Sequence, residues 1–97
     1  MAEFISYLNG EWIPTDDCKI DVFDRGLLMG DAVFDVARTY NGRPFKIERH
    51  FARMARSLKY TRMDIGMTPE EFGDIVLEAV ERNQAAVPDA GDLIIWW

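Results

Sequence analysis

Apolar and polar positions follow two different periods along the chain, changing over near residue 46. The first part is built of short extended runs. Phe4-Ile5-Ser6-Tyr7-Leu8 leads into Asn9-Gly10 and then Glu11-Trp12-Ile13-Pro14. An Asn-Gly pair between apolar runs predicts a tight hairpin, because both central residues of a type I′ turn need positive φ. Pro14 and Asp16-Asp17 then interrupt pairing, and residues 19–23 read as a further short extended piece stopped by Asp24-Arg25-Gly26. Residues 32–40, with Phe34, Val36 and Tyr40, predict a strand that turns at Asn41-Gly42 and returns over residues 43–46.

The second part has helical spacing. From Ile47, apolar residues recur at Phe51, Met54, Ala55 and Leu58, which is one face of a helix. Thr68-Pro69-Glu70-Glu71 predicts the start of another: Thr68 caps, Pro69 suits the first turn, and Glu71 closes a T-x-x-E box. Phe72, Ile75, Val76, Ala79 and Val80 form its apolar stripe. Residues 85–91 read as a loop, and residues 92–97, Asp-Leu-Ile-Ile-Trp-Trp, as a buried strand. The fold class is therefore α+β, with antiparallel β-hairpins followed by two helices. Chain termini usually lie exposed, so an apolar strand holding two tryptophans at the end of 97 residues predicts a truncated chain.

Composition narrows the class. A 48% hydrophobic and 12% aromatic content predicts a packed core rather than a disordered chain. No apolar run approaches the ~20 residues that span a bilayer, and the first residues lack a basic, apolar leader. The single cysteine, Cys18, fits a reducing, cytoplasmic setting. The net charge of −6 argues against nucleic acid as the partner. That charge is unevenly spread: residues 43–62 hold seven of the eleven basic side chains against Glu48 alone, giving +6 there and −12 elsewhere.

Arg49, Arg53 and Arg56 in this segment are four and three residues apart, along one side of the predicted helix. The ordinary reading is a solvated cationic face; the functional reading is a phosphate or carboxylate site, which a planar guanidinium fork suits. His50 reads as a structural hydrogen-bonding residue, with no nucleophile motif beside it. One histidine and one cysteine make a poor metal set, so no metal site is expected. Asp21, Asp24, Asp31 and Asp35 lie in turn-rich sequence where aspartate is common. Lys59 has cationic neighbours at Arg56 and Arg62, but on a solvated helical face it is not read as a nucleophile.

The order of these motifs resembles a known family. The run Y-L-N-G-E-W-I-P, followed by the block from Asp24 to Ser57 (D-R-G-L-L-M-G-D-A-V-F-D-V-A-R-T-Y-N-G-R-P-F-K-I-E-R-H-F-A-R-M-A-R-S), is similar to the start of class IV aminotransferases. These are the fold-type-IV pyridoxal-phosphate enzymes, including branched-chain, D-amino-acid and (R)-amine aminotransferases and aminodeoxychorismate lyases. The likeness extends from about Tyr7 to Arg82.

The resemblance implies a small N-terminal domain covering residues 1–97, ending before the catalytic domain, from a cytoplasmic homodimeric transferase. It implies pyridoxal 5′-phosphate as cofactor, with an amino acid or primary amine as donor and a 2-keto acid as acceptor. It assigns the cofactor phosphate to the arginine of H-x-x-R, here Arg53, and the substrate side to Phe34 and Arg38. Asp35 stands where many relatives carry glutamate, and M-G-D-A-V-F-D-V-A-R departs from the branched-chain pattern Y-G-x-x-x-F-E-G-x-R at Met29, Asp35 and Val36. The family's cofactor-bearing lysine and the glutamate facing the pyridine nitrogen belong to the later domain, so no catalytic residue is expected within these 97 residues. The remaining alternatives are a lyase of the aminodeoxychorismate type and a stand-alone module whose basic helix docks an acidic partner.

Overall fold

Both Asn-Gly pairs form the turns expected of them, in a computed structural model that describes residues 4–87 and 91–97. Asn9 and Gly10 have φ of 50° and 89°, and Asn41 and Gly42 have 53° and 77°. The first turn joins β1 (Ile5–Leu8) to β2 (Glu11–Pro14), with Leu8 opposite Glu11 and Ile5 opposite Pro14. The second joins β3 (Val36–Tyr40) to β4 (Arg43–Pro44). The return strand is shorter than the expected 43–46, because Lys46 turns to φ 51° and leads the chain straight into α2.

Helices α2 (Ile47–Thr61) and α3 (Pro69–Asn83) follow the apolar spacing. Thr68 accepts from the Glu71 N–H at 3.1 Å while the Glu71 carboxylate accepts from the Thr68 N–H at 3.1 Å, so the capping box is closed in both directions. Gly73 lets the two helices approach: a Cβ there would sit 3.2 Å from the Phe51 ring. The strand β5 (Ile94–Trp96) then pairs antiparallel with β3, giving a three-stranded sheet in the order β4-β3-β5. The sheet rests on the helices through its inner face. Ala37, Ile47 and Val76 are buried there, with Phe51, Phe72, Ile95 and Trp97 packed against them.

Four further sequence expectations need correction. The strand expected over 32–40 starts only at Val36, since residues 30–35 hold no regular element and only Asp35 joins the ladder, exchanging both backbone hydrogen bonds with Trp97. Residues 19–23 form no strand: Asp21 accepts from the Phe23 N–H and folds the chain on itself. The stop at 24–26 begins a short helix, α1 (Arg25–Met29), because the Asp24 carboxylate caps the Gly26 and Leu27 N–H groups. The segment 92–97 is buried on one face only: Leu93, Ile95 and Trp97 turn inward, while Ile94 and Trp96 are exposed. In the 85–91 loop, Gln84–Ala86 makes a 3-10 turn and Pro88 lies outside the described residues.

The β1–β2 hairpin is a separate sheet held to the end of α3. Asn83 is buried, accepting from the Ile5 N–H at 2.8 Å and donating to the Ile5 carbonyl at 2.9 Å. An open groove of about 610 Å³, lined by Phe4, Ile5, Leu93, Ile94 and Trp96 among others, separates this hairpin from β5.

Candidate functional site

The alternation of β3 decides which side chains meet the helices. Asp35, Ala37 and Thr39 are buried on the inner face, whereas Phe34, Arg38 and Tyr40 are exposed on the other. Asp35 is therefore carried under α2, about one and two turns into which stand His50 and Arg53. Its carboxylate takes the Arg53 guanidinium in a fork, Nε donating to Oδ2 at 2.8 Å and Nη2 to Oδ1 at 2.5 Å. Oδ1 also accepts from the Val36 N–H at 2.7 Å and faces His50 Nδ1 at 3.2 Å. A ring nitrogen lone pair aimed at a carboxylate would be repelled, so the proton of a neutral His50 belongs on Nδ1. The 3.3 Å approach of Arg53 Nη2 to the same nitrogen is then a contact rather than a hydrogen bond. Trp97 closes the far side, its ring edge-on to His50 at 6.0 Å.

The electrostatics follow from this geometry. The Arg53 hydrogen bonds hold the Asp35 carboxyl down from 3.8 to about 2, against the opposing effect of burial, while Asp35 raises Arg53 above its ordinary value. Asp35 is 6% exposed yet its partner's side chain is 57% exposed, so one end of the pair is fixed in the fold and the other reaches solvent. Nε and Nη2 are engaged, and among the described residues Nη1 has no hydrogen-bond partner. A guanidinium held this way fits a phosphate through Nη1. Elsewhere on α2 and its flanks Lys46, Arg49, Arg56, Lys59 and Arg62 make no ion pair among the described residues.

Phe34 and Arg38 lie on the opposite face. Phe34 is 72% exposed and stacks on Trp96, with ring centroids 6.0 Å apart. Arg38 donates from Nε to its neighbour's carbonyl at Thr39 and from Nη2 to Asp92 at 3.3 Å, and its guanidinium lies 3.9 Å over the Tyr40 ring. Asp92 in turn accepts from the Thr39 hydroxyl at 2.9 Å, which with Arg38 lowers its pKa. Arg53 is thus brought together with Asp35 and His50, and Arg38 with Asp92, Thr39 and Tyr40.

Asp35 is the residue that sequence reading passed over. Asp21 and Asp24 do cap turns and Asp31 pairs with Arg25 at 3.1 Å, as expected of turn aspartates. Asp35 alone of the four is buried. Its signal was the inward phase it shares with Ala37 and Thr39, combined with an arginine on the facing helix.

Comparison with known proteins extends this geometry. The sequence profile of amino-transferase class IV matches residues 32–97, which contain Asp35, His50 and Arg53. The chain belongs to the class IV amino-transferase family. A Methanocaldococcus jannaschii protein provisionally named as a branched-chain-amino-acid aminotransferase is 44% identical over 77 residues, or 79% of this chain. A D-alanine aminotransferase of Staphylococcus haemolyticus is 36% identical over the same length. The chain spans 27% of the length of each. The crystal structure of a branched-chain aminotransferase from Thermoproteus uzoniensis with norvaline superposes with a TM-score of 0.81 and 27% identity, covering 98% of this class IV chain and 32% of that one.

Proposed function

We propose that residues 1–97 are the small N-terminal domain of a pyridoxal-phosphate-dependent class IV aminotransferase, and that Arg53 holds the cofactor's phosphate. The observation carrying this reading is the Arg53 guanidinium, anchored on one edge by the buried Asp35 and open to solvent on the other. A dianionic phosphate is well held by a guanidinium that is already oriented. The chemistry supplied by bound pyridoxal 5′-phosphate is an electron sink for moving an amino group between an amino acid or primary amine and a 2-keto acid. Within this chain the work is binding and orientation, since the covalent and proton-transfer steps fall to the family's later domain.

The same reading gives Phe34 and Arg38 to the substrate side. Phe34 offers an exposed ring face on the outer side of the sheet, and Arg38 reaches a substrate carboxylate by exchanging it for Asp92. It also makes the parent protein a cytoplasmic homodimer. The exposed apolar run of Ile20, Val22, Phe23, Leu27, Leu28 and Met29 supports a covered surface there.

The test joins this chain in frame to the remaining part of the Methanocaldococcus relative. The fusion is expected to transfer amino groups from an amino acid to 2-oxoglutarate. Arg53→Ala is expected to raise the cofactor concentration needed for half-saturation about tenfold or more, leaving the circular dichroism unchanged. Unaltered cofactor affinity in Arg53→Ala removes the phosphate assignment.

A further inference from the structure

We propose that Asp35 is a positioning residue for anion binding: by gripping Arg53 through Nε and Nη2 it aims the Nη1 edge of the guanidinium at an incoming phosphate. The inference rests on the phosphate reading of Arg53 and names what makes that site work.

An arginine side chain has four rotatable bonds, and at 57% exposure Arg53 is little confined by packing. What fixes it is the two-point contact with Asp35, whose own position is fixed three ways. Its backbone exchanges hydrogen bonds with Trp97 at 2.9 and 3.2 Å, its Oδ1 accepts from the Val36 N–H, and its side chain is buried. His50, 22% exposed and pressed against Trp97, fills the remaining side of Oδ1. The guanidinium is thus held in one plane by a carboxylate that belongs to the sheet. A phosphate meets one preset nitrogen rather than a mobile fork.

Simple electrostatics gives the opposite sign. A carboxylate beside the site repels a phosphate, so neutralising Asp35 would tighten binding if charge alone mattered. Positioning predicts that the same change weakens it. The asparagine variant therefore separates the two.

Inorganic phosphate and pyridoxal 5′-phosphate are titrated separately into the 15N-labelled chain, following the Arg53 Nε–Hε cross-peak, which is identified by its loss in Arg53→Lys. In the wild type the peak is expected to be resolved, slow to exchange with water, and displaced by either anion. In Asp35→Asn it should collapse to the position of a freely rotating guanidinium, with anion affinity about tenfold weaker. Asp35→Glu should restore both. Anion binding in Asp35→Asn as tight as or tighter than wild type overturns the inference alone, as does anion binding through an Arg53 whose peak is unlocked, or a glutamate variant no better than the asparagine one. A locked peak that neither anion displaces overturns the phosphate reading of Arg53 and this inference with it. Should Asp35→Asn fail to give a dispersed spectrum, the exchange rate in the wild type and the behaviour of Asp35→Glu decide.

Discussion

Two carboxylates fix β3 at its two ends. Asp35 ties its start to α2 through Arg53, and Asp92 ties its end to β5 through Thr39 and Arg38. Because folding depresses the Asp35 pKa, its contribution to stability is complete above pH 3.8 and lost as pH falls toward about 2. That contribution is about 2 kcal/mol. Urea unfolding of the wild type is expected to weaken steeply between those two pH values, and Asp35→Asn is expected to lose that part of the slope. Thr39 is fully buried and its hydroxyl both receives the Leu93 N–H and donates to Asp92, each at 2.9 Å. Thr39→Val keeps the shape but leaves the buried Leu93 N–H without its acceptor, at a cost of about 1–3 kcal/mol by chemical denaturation. The cationic side of α2 was legible beforehand, because helical spacing and a local excess of cations are properties of neighbouring residues. The buried pair that Asp35 makes was not, because its partner Arg53 lies 18 positions away.

At the scale of elements, what was legible is what is local. The Asn-Gly turns, the Thr68 box and the apolar stripes of both helices depend on residues within four of one another, and each formed as the sequence implied. Thr68→Ala is expected to destabilise the chain by about 1 kcal/mol, read from urea midpoints, since the Glu71 N–H loses its acceptor. What depended on distant partners was misjudged, such as the length of β3 or the one-sided burial of residues 92–97. Gly73 is another such case. Its helical position invites a better helix former, but Phe51 occupies the space a side chain would need. Gly73→Val is expected to cost about 1–3 kcal/mol by overpacking, measured by thermal unfolding, while Phe51→Ala in the same background should recover part of it.

For the whole molecule, the β4-β3-β5 sheet divides the surface. Its outer face exposes Phe34, Ile94 and Trp96. Helices cover only the other face of that sheet. The hairpin of β1 and β2 is anchored chiefly through Asn83 and by Arg82 lying 4.5 Å over the Trp12 ring. Asn83→Ala is expected to release it: Ile5 loses both partners, and its amide should exchange with solvent at least tenfold faster while the amides of β3 are unaffected.

The pairing of β3 with β5 also orders events in time. Thr39 and Leu93 are 54 positions apart, and the helical pair α2–α3 is the chain between them. Closing so long a loop of flexible chain is entropically unfavourable, whereas two helices folded back on each other bring its ends together beforehand. Assembly is therefore expected to be sequential, the helices docking through Phe51 and Gly73 before the third strand pairs. Pulse-labelling during refolding should find amides in α2 and α3 protected before those of Thr39 and Trp97. Asp35 gains its backbone bonds to Trp97 only with that strand, so the Asp35–Arg53 pair is expected to set late in folding.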